Sequence, residues 1–123
     1  MTTLQLTRLA VKVLEDKKAK DVQVLDVAGM SSLADYFVIA SGSSFTQVRA
    51  LTSEIDEKFS EQGHQPKRIE RDTSSNWILL DYGDIIIHVF HHEAREFYNL
   101  EKIWGDAPRY DSEQFLKLGE KDV

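Results

Sequence analysis

The sequence predicts one α/β domain, and three observations carry that prediction. At 123 residues the chain has the length of one core rather than two. Apolar stripes at helical spacing alternate with short Val- and Ile-rich runs closed by Gly or polar residues. A Gly83-Asp84 pair between two apolar runs marks a β-hairpin.

From Thr3 to Lys17, Leu6, Leu9, Ala10, Val13 and Leu14 fall on one stripe, predicting an amphipathic first helix. Asp21 to Val27 reads as a strand closed by Gly29, and Ser31 or Ser32 would cap a short helical turn through Asp35. Tyr36 to Ser41 is apolar at both alternating sets of positions, as in an interior strand covered on two sides, and ends in Gly42. Ser44 and Gln47 form a capping-box pair for a second helix. Its stripe runs through Phe45, Val48, Leu51 or Thr52, Ile55 and Phe59 to a stop at Gly63. Pro66 opens a short strand to Arg71, and Asp72 to Asn76 reads as a polar turn. Glu93 to Trp104 predicts a third helix, ended by Gly105 and Pro108. The polar stretch from Arg109 to Val123, around Phe115 and Leu116, reads as a frayed tail or a weakly docked helix.

A two-residue hairpin loop pairs Tyr82 with Ile85 and, five steps on, Trp77 with Phe90. One face then holds Ile78, Leu80, Tyr82, Ile85, Ile87 and Val89, which belongs in the core. The other holds Trp77, Leu79, Asp81, Ile86, His88 and Phe90. Large apolar groups mixed with an acid and a histidine fit a contact surface, while the plainer reading has the protein's own helices cover that face.

Composition excludes several functions. No cysteine means no disulfide, no thiolate zinc site and no cysteine nucleophile. No apolar run reaches the roughly 18 residues of a membrane span. The first residues lack a signal-peptide apolar block and an Arg-rich presequence bias, so a cytoplasmic location is expected. The net charge of −6, with bases scattered, disfavours direct nucleic-acid binding and suits a basic protein partner. Lys17, Lys18 and Lys20 are flanked by Glu15, Asp16 and Asp21, the pattern of a solvated helix end.

Three constellations bear on chemistry. His88, His91 and His92 lie close in sequence near Glu93, but strand alternation sends His88 and His91 to opposite faces, which leaves a metal site incomplete. Ser41-Gly42-Ser43-Ser44 precedes a helix, where anions bind, yet it lacks a phosphate loop's lysine and extra glycines, and capping explains Ser44. Asp81 and Asp84 flank the hairpin turn without the further acids that metal-dependent phosphoryl transfer requires. No catalytic residue, cofactor or metal ligand is expected.

Four motifs in order, Ala34 to Ser44 (ADYFVIASGSS), Gln47-Val48, Trp77 to Phe90 (WILLDYGDIIIHVF) and Glu93 to Trp104 (EAREFYNLEKIW), resemble the ribosomal silencing factor family, RsfS, also called Iojap-like. The resemblance implies an α/β (α+β) fold with a single mixed β-sheet and flanking helices, of nucleotidyltransferase-like topology without the catalytic carboxylates. Phe45-Thr46-Gln47-Val48-Arg49 stands where those enzymes carry a metal-holding D-x-D pair. The family domain would span residues 1–106, leaving 107–123 as a polar C-terminal tail. The resemblance also implies binding to ribosomal protein L-fourteen of the large subunit, which blocks joining of the small subunit and represses translation under nutrient limitation. It further implies a homodimer in the free state, while the composition leaves no membrane and no sequence-specific nucleic-acid partner expected.

Expected partner-binding residues are Trp77 and Leu79 as apolar anchors and Asp81 as an acid toward basic side chains, with His88 on the same face and Glu70 and Tyr98 at the rim. Arg71 stands where the family commonly has glycine. A nucleotide-binding or nucleotidyltransferase-like protein, or a ribosome assembly factor, are the alternatives.

Overall fold

The hairpin organises the molecule. In the computed structural model, which describes residues 1–30, 34–71, 76–98 and 105–121, Gly83 turns the chain at φ +87°, where a side chain is strained. The Asp81 carboxylate accepts from the Gly83 N–H, and the Tyr82 N–H donates to the Ile85 carbonyl. The strands leaving this turn pair Trp77 with Phe90 and Asp81 with Ile86, as alternation predicts.

In chain order the elements are α1 (Thr3–Asp16), β1 (Lys20–Asp26), β2 (Tyr36–Gly42), α2 (Phe45–Glu61), β3 (Arg68–Arg71), β4 (Trp77–Asp81), β5 (Ile85–His91), α3 (His92–Tyr98), β6 (Arg109–Asp111) and α4 (Ser112–Lys121). The six strands form one mixed sheet in the order β3-β4-β5-β2-β1-β6. Only β2 and β5 run parallel, and they sit at its centre. That position explains why Tyr36 to Ser41 is apolar on both alternating faces.

The main core lies between one face of the sheet and α1, α2 and α4. It gathers Val22, Val24, Val38, Ala40, Ile78, Leu80, Ile85, Ile87 and Val89 from the strands, and Leu14, Leu51, Ile55 and Phe59 from the first two helices. Helix α1 packs against both α2 and α4. Its buried arc is therefore wider than the predicted stripe and takes in Thr7 and Val11. A full capping box, unnoticed in the sequence, starts α1: Thr2 Oγ1 accepts from the Gln5 N–H, and Gln5 Oε1 accepts from the Thr2 N–H.

Two expectations need revision. The Ser44–Gln47 capping box is half formed, because Gln47 Oε1 accepts from the Ser43 N–H and hydroxyl instead of Ser44. Phe45 leaves the α2 stripe; it is 43% exposed and stacks on His91. Of the two readings of the stretch from Arg109, the docked helix is the one present up to Lys121: Arg109–Asp111 pair with β1, and α4 places Phe115 in the main core. The third helix begins at His92 and is described to Tyr98. Its predicted continuation to Trp104, the turn at Ser31 and Ser32, and residues 72–75 of the polar turn lie outside the described residues.

Candidate partner-binding site

The opposite face of the sheet decides between the two readings of the hairpin. It carries a second, smaller core of Leu25, Val27, Ala34, Phe37, Ile39, Phe90 and Ala107, with Trp77 and Ile86 partly buried against it. Helix α3 packs on β5 and β2 there. Arg95, itself buried, fastens that helix: its guanidinium donates to Ser41 Oγ at 2.9 Å and to the Asp21 carbonyl, and lies 3.6 Å from the Asp21 carboxylate. A β-bulge with Asp21 at φ +50° turns this residue toward α3.

The expected contact residues therefore separate. Leu79 is only 8% exposed and His88 only 6%, so neither offers area to a partner; both belong with Phe90 to the interior of this face. Both project from inner strands of the sheet onto the face that carries the second core. Trp77, at the end of β4, stays half-buried. Asp81 is not a free acid either. One carboxylate oxygen accepts from the Gly83 N–H at 2.8 Å, and the other lies 3.3 Å from Arg68 Nε. Arg68 also reaches Glu70 at 3.2 Å, so Glu70, Arg68 and Asp81 form a chain across β3 and β4. Tyr98 is the last described residue of α3, and its side chain lies outside the described residues.

Around Trp77 the geometry is specific. Its Nε1–H donates to His88 Nδ1 at 3.3 Å, and its ring stacks over those of His88 and Phe90, with centroids 6.1 and 6.4 Å away. Phe37 meets the imidazole edge-on at 5.4 Å. Burial pushes the His88 pKa down to about 4, so the ring is neutral at neutral pH, with its Nδ1 lone pair open to accept. Trp77 is thus an aromatic surface backed by a buried aromatic and imidazole layer.

The loop that raised the nucleotide alternative is occupied from within. Gln47 Oε1 takes the Ser43 N–H at 2.6 Å, Ser44 Oγ takes the Gln47 N–H at 3.0 Å, and Gln47 Nε2 donates to the Lys17 and Lys18 carbonyls. A β-carbon at Gly42 would stand 3.0 Å from Val48 Cγ2, so glycine serves close packing of β2 on α2. Among the described residues, no group of three or more His, Asp or Glu side chains could hold a metal. No described helix is long and apolar enough to cross a membrane.

Sequence reasoning missed two positioning residues. Arg68 faces Asp81 once β3 pairs with β4, a register hidden behind the polar turn. Arg95 carries no pattern that sets it apart from other helix arginines.

Fold and site together define a mixed-sheet α/β domain with an aromatic patch at the border of its second core. Residues 1–122 match the family described as "Ribosomal silencing factor during starvation", RsfS, and the chain belongs to that family. It is 44% identical over 113 residues to ribosomal silencing factor RsfS of Halalkalibacterium halodurans, covering 92% of this chain and 97% of that one. The mouse protein "Mitochondrial assembly of ribosomal large subunit protein 1" is 30% identical over 99 residues, 78% of this chain and 43% of its own length. A crystal structure of a Chromobacterium violaceum protein superposes with a TM-score of 0.82 at 35% identity, over 85% of this chain and 88% of that chain.

Proposed function

We propose that this chain binds ribosomal protein L-fourteen on the large ribosomal subunit and, by its bulk, keeps the small subunit from joining. Membership of the silencing-factor family assigns it to ribosome-associated regulation of translation. The single observation that supports the docking site is Trp77: a half-buried indole held from beneath, at the border of a face where Leu79, His88 and Phe90 are covered and Ile86 is half-buried. Glu70 and Asp81, neutralised in part by Arg68, and Tyr98 complete the rim in this reading.

Steric exclusion requires no reacting group; in the Ser41–Ser44 loop, Gln47 Oε1 already accepts from the Ser43 N–H and hydroxyl. Occupancy then sets the effect, so repression follows the factor's concentration and affinity. An interface of standard size buries roughly 1,200–2,000 Å², and one central aromatic carries a large share of its energy. Trp77→Ala should weaken large-subunit binding by on the order of 2–4 kcal/mol. Sucrose gradients of separated subunits test both halves. The protein should co-migrate with the large subunit and deplete joined ribosomes, and the folded Trp77→Ala variant should do neither at equal concentration. Wild-type behaviour of that variant refutes the docking site.

A second reading, assistance in large-subunit assembly, is favoured by the name of the mouse relative. It uses the same surface and differs in when the surface is occupied. Accumulation of immature large subunits in cells lacking the factor, during rapid growth, would select it.

A further inference from the structure

We infer that His88 is a positioning residue for partner binding: it touches no partner and fixes the indole of Trp77 in the orientation that docks. The inference rests on the reading that Trp77 is the anchor, and it concerns how that anchor is held.

The two residues share one face across β4 and β5, two residues out of register. Trp77 pairs with Phe90 and Leu79 with His88, so the indole reaches diagonally to the imidazole. The only polar atom of the indole is its N–H, which donates to His88 Nδ1 at 3.3 Å. The imidazole is itself immobilised. Phe37 stands edge-on at 5.4 Å, and Phe90 lies parallel within 5° at 6.2 Å. At 6% exposure the histidine has no surface for a partner. An indole can turn about two side-chain bonds, and a half-buried one whose N–H lacks an acceptor gains by turning that N–H toward water. The acceptor beneath therefore selects one orientation before binding, and the ordering cost no longer falls on association. The neutral imidazole is the form that accepts at Nδ1, and burial among Phe37, Leu79 and Phe90 keeps it neutral.

The test measures affinity for purified large subunits by co-sedimentation, using the full chain. His88→Leu keeps the volume and removes the acceptor; His88→Asn places an amide oxygen where Nδ1 sits. The expected result is a loss of about tenfold for His88→Leu, the order of one net hydrogen bond, with most of the affinity kept by His88→Asn. In a Trp77→Phe background, which has no N–H to orient, adding His88→Leu should change affinity less than twofold. An equal loss in both backgrounds overturns the proposal, since His88 would then act on the core at large. If Trp77→Ala weakens binding while His88→Leu leaves it unchanged, the positioning role alone fails. If Trp77→Ala itself binds as wild type, the docking reading falls and takes this inference with it. Should His88→Leu not fold, His88→Asn against His88→Ser decides the matter by the same comparison.

Discussion

Replacing Phe115 by alanine tests whether the last helix is part of the fold. Phe115 is 1% exposed in the main core, with Tyr36 meeting it edge-on at 5.6 Å and Tyr110 at 6.1 Å. Removing a buried phenyl ring costs roughly 3–5 kcal/mol, less where neighbours collapse into the space. Here α4 is a short helix whose neighbours can shift into the space, so the lower end applies, about 3 kcal/mol. Against a total of roughly 5–15 kcal/mol for a domain, that is a large fraction. It corresponds to a fall in melting temperature on the order of 10 °C at this chain length. Urea unfolding followed by circular dichroism gives the value directly, and the slope should stay unchanged because the same surface is exposed on unfolding. A midpoint shift worth less than about 1 kcal/mol would refute the reasoning and return residues 112–121 to the status of a loose tail.

Two further outcomes follow from the same coordinates. His88 has a pKa of about 4 in the folded protein against 6.5 when free of it. The unfolded chain therefore gains a proton first, and stability is complete above about pH 6.5 and declines down to about pH 4, by about 3 kcal/mol in all. Urea midpoints at pH 7, 5.5 and 4 should show this decline in the wild type, and His88→Asn should flatten it. Gly42→Ala would set a methyl 3.1 Å from the Val48 backbone nitrogen, which cannot swing aside, so a loss of about 1–3 kcal/mol is expected in thermal melts.

How much of this was legible in the sequence depended on whether neighbours in space were also neighbours in pattern. The β4–β5 hairpin was readable to the residue, because a two-residue turn at Gly83-Asp84 fixes register and alternation fixes faces. The α1 and α2 stripes were readable for the same local reason. By contrast, β6 is three residues of mixed polarity, Arg109–Asp111, with no period to detect; only pairing with Gln23 to Leu25 makes it a strand. The Arg68–Asp81 contact needed the β3–β4 register, which a polar turn conceals. For the site, the composition of the Trp77 face was ambiguous between a contact surface and a core. The structure divides it: Leu79, His88 and Phe90 are interior, and Trp77 lies at the border. Alternation assigns a face but cannot say what lies over it.

That division bears on how firmly the proposed docking face could bind. A fully exposed aromatic face would bury more area, but each free side chain would lose its rotamers on docking, and an apolar sheet face is also a hazard for self-association. Trp77 escapes both costs. Its strand is held on one side by β3 and on the other by β5, and its ring rests on Phe90 and His88, so the free protein already presents it in one arrangement. The charges farther along β4 and β3 are likewise arranged in advance, since Arg68 holds Asp81 and Glu70 on neighbouring strands. A partner's basic side chain would have to compete with Arg68 for those oxygens, which limits what the acids add to affinity. The apolar anchor should therefore govern how long the complex lasts, while the charges act mainly on the rate of encounter. Raising salt should slow association and leave the dissociation rate of wild type nearly unchanged, whereas Trp77→Ala should speed dissociation at every salt concentration. Stopped-flow mixing with large subunits separates the two rates, and a salt-sensitive dissociation rate would mean that the acids, not the indole, hold the complex together.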